Sequence, residues 1–236
     1  MYIKHAAERD PLLHICITEP LRRGHAEILH ETPRGILVYD RPGKLLLLSS
    51  EDIEAAAEML DGVERARSVD FIMLCDAAFA PLIERFGLKH TMYCRQAAYF
   101  KAEPPAPDPR LEIKVPDERA FARILQAYHL DSPEELRRRA DAGELFFART
   151  PDGADVGFVG LHPEGCFGLL EVFPEQRGKG YGAALEAHIL RFCMETDRVP
   201  YCQVEEENTI SFNLQRKMGL EISDKRMLMA WRGWES

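Results

Sequence analysis

From Glu171 to Leu185 the chain reads Glu-Val-Phe-Pro-Glu-Gln-Arg-Gly-Lys-Gly-Tyr-Gly-Ala-Ala-Leu, and no other stretch constrains its fold so tightly. An apolar strand, CFGLLEVF (166–173), leads in. A helix reaching about Thr196 leads out, with Leu185, Ile189 and Phe192 on one face. Gly178, Gly180 and Gly182 alternate with Lys179 and Tyr181, more glycine than a helix entry needs for close packing. The first turn of that helix turns its unbonded N–H groups and positive dipole end back on the loop. Arg177 and Lys179 add two cations. The main-chain amides from Arg177 to Ala183 are therefore expected to form a nest for a diphosphate.

The rest of the chain limits what can surround such a nest. Of 236 residues, 46% are hydrophobic and 29% charged, the composition of a folded globular protein and not of a disordered one. A net charge of −9 opposes general binding to nucleic acid or to anionic membranes, which select basic surfaces. The longest aliphatic run, Leu45 to Leu48, falls far short of the roughly 18 residues that span a bilayer. The opening MYIKHAAERDP is charged and lacks the apolar core of a secretory signal, so a cytoplasmic location is expected. Six cysteines occur without CxxC spacing and eight histidines without HxxxH or HExxH pairs, which suits reduced core thiols and predicts no metal.

EPPAPDPR (103–110), with four prolines in eight positions, reads as a stiff tether and the clearest boundary. It separates an N-terminal part, 1–102, from a C-terminal part, 111–236, each of ordinary domain size. The C-terminal part reads as a strand (111–115), a helix (117–129) and a second helix announced by Ser132-Pro133-Glu134-Glu135. Strands at 145–150, 156–162 and 166–173 follow, then the helix, a strand at 200–205, a helix at 208–218 and a last strand at 226–231. Hairpins ahead of a strand–helix–strand–helix–strand run predict an α+β fold on a mixed, mostly antiparallel sheet. The N-terminal part repeats the plan in worn form: GILVYD, RPGK and LLLLSS as a hairpin, a helix over 50–60, the strand VDFIMLC (69–75), a helix over 77–86 and the strand TMYCRQAAYF. Leu82, Arg85, Gly87 and Leu88 echo Leu214, Lys217, Gly219 and Leu220 in identical spacing.

Gly178 to Ala183 also fits GxGxxA, with acids at Glu205 to Glu207 near the dinucleotide-binding distance. Three features oppose a nicotinamide dinucleotide: a long lead from strand to first glycine, cations in the loop, and hairpin strands ahead of it. The residues instead resemble the GNAT superfamily of acyl-CoA N-acyltransferases, whose hallmark V-x-P, [QR]-x-x-G-x-[GA] falls here on Val172, Pro174, Arg177, Gly180 and Gly182. A second family segment, N-x-x-[AS]-x-x-[LF]-x-x-K-x-G-[FL], falls on Asn208, Ser211, Leu214, Lys217, Gly219 and Leu220. The resemblance covers 111–236, looks nearest to the glycine N-acyltransferase-like branch, and makes the N-terminal part similar to the degenerate half of tandem members.

The resemblance implies acetyl-CoA as donor, no metal, and direct transfer to a primary amine of a small molecule or peptide. It also implies central parallel strands that splay to admit the pantetheine arm. Backbone groups at Val172 and Phe173 would hold that arm, Gly178, Lys179, Gly180, Tyr181, Gly182 and Ala183 with Arg177 the pyrophosphate, and Asn208 and Ser211 would flank the arm. An attacking amine must be neutral, although a lysine-like amine has a pKa near 10.4, so a carboxylate base is expected. Glu171, alternating with Val172, is the first candidate and Glu205, ending the neighbouring strand, the second. Gln215 stands where many members carry a tyrosine that protonates the leaving thiolate, which leaves the general acid unassigned and keeps open an acyl-CoA-binding protein without turnover. In the N-terminal part Ser50-Glu51-Asp52 opens the corresponding helix with acids that repel a diphosphate, so one coenzyme A site is expected. That part would wall the acceptor cleft or mediate association, leaving room for a homodimer.

Overall fold

A computed structural model describes all residues except 62, 64–68, 70 and 233–236, and the backbone alone of residue 85. Residue 70 of the strand expected at 69–75, and the side chain of residue 85 in the echoed junction, lie outside the described residues. The chain forms two compact units, 1–98 with 201–215 and 220–236, and 99–200 with 216–219.

The first unit begins with helices α1 (Tyr2–Arg9) and α2 (Pro11–Arg22). It continues with β1 (Ala26–Thr32), β2 (Gly35–Asp40), β3 (Leu45–Ser50), α3 (Ile53–Leu60), β4 (Phe71–Leu74), a 3-10 segment (Ala77–Phe86) and β5 (His90–Ala98). The two helices and β1 had no counterpart in the sequence reading. Asp10-Pro11 is a start signal that could have found α2, since the Asp10 carboxylate accepts the Leu13 N–H at 2.9 Å and proline opens the helix. β3 pairs antiparallel with β2 and parallel with β4, Leu45 to Leu48 facing Phe71 to Leu74. All four leucines are buried, because helices cover both faces of the strand; Leu46 and Leu48 join Leu60, Ile72 and Leu74 in one core cluster.

The chain returns to this sheet at its end. β10 (Tyr201–Glu205) pairs antiparallel with β5, and β11 (Glu221–Ile222) also pairs with β5. β12 (Met227–Trp231) lies between β4 and β5, antiparallel to both. The expected division gave residues 201–236 to the C-terminal part. Their ladder hydrogen bonds instead run to β4 and β5, so 201–215 and 220–236 group with the first unit.

The second unit carries an antiparallel sheet in the order β6 (Glu112–Lys114), β7 (Leu145–Arg149), β8 (Asp155–Leu161), β9 (Phe167–Val172). Helices α4 (Glu118–Ala127) and α5 (Pro133–Asp141) precede β7, and α6 (Tyr181–Glu195) follows β9; α7 (Thr209–Met218), after β10, belongs to the first unit up to Gln215. Ser132 caps α5 as expected, accepting the Glu135 N–H at 3.1 Å. Alternation sorts the sheet's faces: Phe147 packs with Ile124, Leu136, Phe158 and Phe173, while Phe146 meets His188 and Phe192 of α6. EPPAPDPR, read as a tether, is docked on this unit: Arg191 of α6 donates to the Pro105 carbonyl at 2.6 Å, and the Tyr99 hydroxyl to the Glu103 carbonyl at 2.8 Å.

Candidate functional site

β9 is the last strand of its sheet: it pairs with β8, and among the described residues no second strand hydrogen-bonds to it. The ladder runs Gly160 to Gly168 and then Phe158 to Glu171, so β9 carries one extra residue between them. Leu169, at φ 49°, marks this bulge. The extra residue reverses the alternation, and Glu171 shares a face with its ladder partner Phe158 rather than with Phe167. Gly157 opposite Val172 permits the close approach, since a Cβ there would collide with the Glu171 carbonyl. The Tyr128 ring packs edge-on against Phe158 on that face. Burial, with the Asp131, Glu164 and Glu171 carboxylates, pushes the Tyr128 phenol far up, so it stays protonated at neutral pH.

Phe173 donates its N–H to the Val156 carbonyl at 2.9 Å, which turns its backbone toward β8. One residue earlier, Val172 turns its backbone groups to the free edge. Of the two backbone positions assigned to the arm, only Val172 is thus presented outward. Its carbonyl accepts Arg177 Nε at 3.0 Å, and Arg177 Nη2 reaches the Glu171 carboxylate at 3.3 Å. Arg177 therefore lies along the edge of β9 as a partner of Glu171, a contact that sequence spacing did not suggest.

Beyond it the loop opens into α6. Gly178 at φ 77° and Gly180 at φ 83° are left-handed, a conformation costly for residues with a side chain. Arg177 N–H is bonded to the Pro174 carbonyl and Ala183 N–H to the Gly180 carbonyl, so the ends of the expected cradle are committed. Between them, Gly178, Lys179, Gly180, Tyr181 and Gly182 donate no N–H to a protein group among the described residues. No side chain caps α6 and no acid stands in its first turn. Glu175 is paired with Arg123 at 2.9 Å, whereas Lys179, among the described residues, bonds the neutral Gln176 amide oxygen and the Glu175 carbonyl. Five uncommitted N–H groups, a helix dipole and an ammonium bonded here to neutral oxygens fit a diphosphate.

A further cation, outside the amide cradle, comes from the proline-rich segment. Arg110 Nη1 donates to the Lys179 carbonyl at 3.1 Å, and the guanidinium stands 5.2 Å from the centre of the Tyr181 ring. No sequence signal connects residue 110 with residue 179.

The other predicted residues belong to the first unit. Glu205 ends β10 and is exposed; Asn208 Oδ1 accepts the Ser211 N–H at 2.9 Å, capping α7; Gln215 is the buried residue of that helix. The structure thus brings Glu171, Val172, Phe173 and 177–183 together in one unit and carries Glu205, Asn208 and Ser211 in the other. Among the described residues no three histidine, cysteine or carboxylate groups gather as a metal cluster, and no helix is long and apolar enough to cross a membrane.

The α+β fold thus sets the last strand of a sheet ahead of an uncapped, glycine-lined helix start, an arrangement that suits an anionic group. Residues 111–220 match the acetyltransferase (GNAT) family. The fold is shared with solved structures at low identity. A Drosophila protein aligns at TM-score 0.65 and 15% identity over 97% of this chain and 86% of its own. A putative GNAT-family acetyltransferase from Novosphingobium aromaticivorans aligns at 0.57 and 14% over 95% and 97%, and a GCN5-related N-acetyltransferase from Kribbella flavida at 0.56 and 14% over 94% and 96%. No curated protein matches the chain.

Proposed function

We propose that the protein transfers an acetyl group from acetyl-CoA directly to a primary amine of a small molecule or peptide. The observation that supports this most is the run of five uncommitted N–H groups from Gly178 to Gly182 at the start of α6. Those groups, with Lys179, would hold the pyrophosphate of coenzyme A, and the outward edge of β9 at Val172 would receive the pantetheine arm. Coenzyme A supplies the acyl group already activated as a thioester. The chain's task is to orient it and to take a proton from the amine.

Glu171 is the proposed base. Its guanidinium partner, Arg177, must shift from the edge of β9 for the arm to bind there. On the family pattern alone, Glu205 is kept as second base and Asn208 and Ser211 as contributors to coenzyme A binding. Residues 1–102 are read as a second copy of the plan without a site of its own. The nicotinamide alternative loses its support, because that fold needs a parallel strand beside the glycine loop and β9 is antiparallel to its neighbour β8.

Calorimetric titration with coenzyme A, followed by thiol release from acetyl-CoA across a panel of amines, tests the proposal. Saturable binding of one equivalent and amine-dependent release are expected. Absence of binding refutes the cofactor. Binding without turnover for any amine would favour an acyl-CoA-binding protein, a reading to which the buried Gln215 lends support.

A further inference from the structure

Arg110 has a setting that pyrophosphate binding does not explain. It lies at the end of the proline-rich segment and is fixed by Asp108, whose carboxylate accepts Nε at 2.9 Å and Nη2 at 2.6 Å and also takes the Arg110 backbone N–H at 2.9 Å. This pairing holds the Asp108 carboxyl below the usual carboxylate range. The clamp leaves the guanidinium outside the nest. A peptide carbonyl points away from the N–H of its own peptide unit, so a group bonded to the Lys179 carbonyl lies on the opposite side from the Gly180 N–H. Arg110 therefore stands at the rim of the cradle, with Tyr181 beneath it. Its side chain is 53% exposed, and both terminal nitrogens keep a hydrogen after the bonds to Asp108 and Lys179 are made.

We propose that Arg110 reads the ribose 3′-phosphate of coenzyme A, with Asp108 and Tyr181 as positioning residues. The inference rests on the coenzyme A reading above and adds a specificity to it. With the diphosphate on the Gly178–Gly182 amides and the pantetheine along β9, the remaining anionic group of the carrier is the phosphate on the ribose. A guanidinium held flat by a carboxylate on one side and an aromatic ring below presents its other side to such a dianion.

Titration of the full chain with coenzyme A and with 3′-dephospho-coenzyme A tests this. The wild type is expected to bind coenzyme A about tenfold more tightly than the dephospho form, the scale of one partly exposed charge-assisted contact. Arg110→Gln should abolish the difference while its affinity for the dephospho form stays within about twofold of wild type, and Arg110→Lys should keep part of the preference. Equal wild-type affinity for both ligands overturns the inference and leaves the coenzyme A site standing. So does an equal loss for both in Arg110→Gln, which would mean that the residue serves the diphosphate or the shape of the loop. Failure of the wild type to bind either ligand removes the parent reading along with this one.

Discussion

Asp52 and Gly180 occupy the same place in two strand–helix junctions of this chain, each the residue before a helix that follows an apolar strand. The Asp52 carboxylate accepts the Ala55 N–H at 2.9 Å and pairs with Arg34, so α3 answers its own unbonded donors. Gly180 has no side chain to offer, and α6 leaves its donors open. The strands differ in the same sense. β3 is bonded on both sides, by β2 and in parallel by β4, whereas β9, among the described residues, is bonded on one side, by β8. An anion site on such a plan needs two absences together, a missing cap and a missing strand. The first junction supplies neither, and its carboxylate would repel a phosphate besides.

The most damaging way to erase this difference is to give α6 an acid. Gly180→Glu places a charge in the nest and a side chain at a left-handed position, and should weaken coenzyme A binding at least about 100-fold by calorimetry; undiminished affinity would overturn the assignment of the loop. Next in size, Glu171→Gln should lower turnover about 100-fold, as loss of a general base does, with coenzyme A affinity within about threefold. A proportionate loss of binding would instead make Glu171 a holder of Arg177. The converse change sharpens the comparison from the other side. Asp52→Ala opens α3 but leaves β3 paired, so binding should stay at one equivalent per chain while the melting temperature falls by roughly 2–4 °C. A second equivalent would show that the cap alone excludes the ligand.

The smallest effect concerns acid. Asp117 caps α4, and the Arg149 guanidinium, then the Ala120 N–H, hold its carboxyl down from 3.8 to about 2. Asp52 is held low by the Ala55 N–H and then by Arg34. A carboxyl depressed by folding adds stability that is complete above its unfolded pKa and is lost as pH falls through the folded one. For Asp117 that window runs from about pH 4 down to about 2. Asp117→Asn keeps an acceptor oxygen for the cap and removes the charge, so it should flatten that part of the acid-unfolding curve; an unchanged acid limb would mean that the ion pair does not persist in solution.

Much of this was legible in local sequence. Ser132-Pro133 announced α5, the apolar runs at 145–150 and 156–162 announced β7 and β8, and the spacing of Gly178, Gly180 and Gly182 located the open helix start. These features depend on propensities, caps and backbone freedom that act within a few residues. The bulge at Leu169 was hidden, because two adjacent leucines read as an unbroken strand while the extra residue is defined only against β8. Strand ownership was hidden as well: RMLMAW is plainly a strand, yet nothing in it names β4 and β5 as neighbours.

The amino-acid order alone thus marked most of the helices and strands beyond β1, and the glycine-lined start of α6, since both follow from the chemistry of adjacent residues. Only the tertiary structure decided that the last strands enter the first sheet, that Arg177 lies against Glu171, and that Arg110 comes to the rim of the phosphate loop. Those outcomes depend on which distant surfaces bury one another and on pairings between residues far apart in the chain, such as Arg110 with Lys179 or Trp231 with Phe71. No local pattern encodes them.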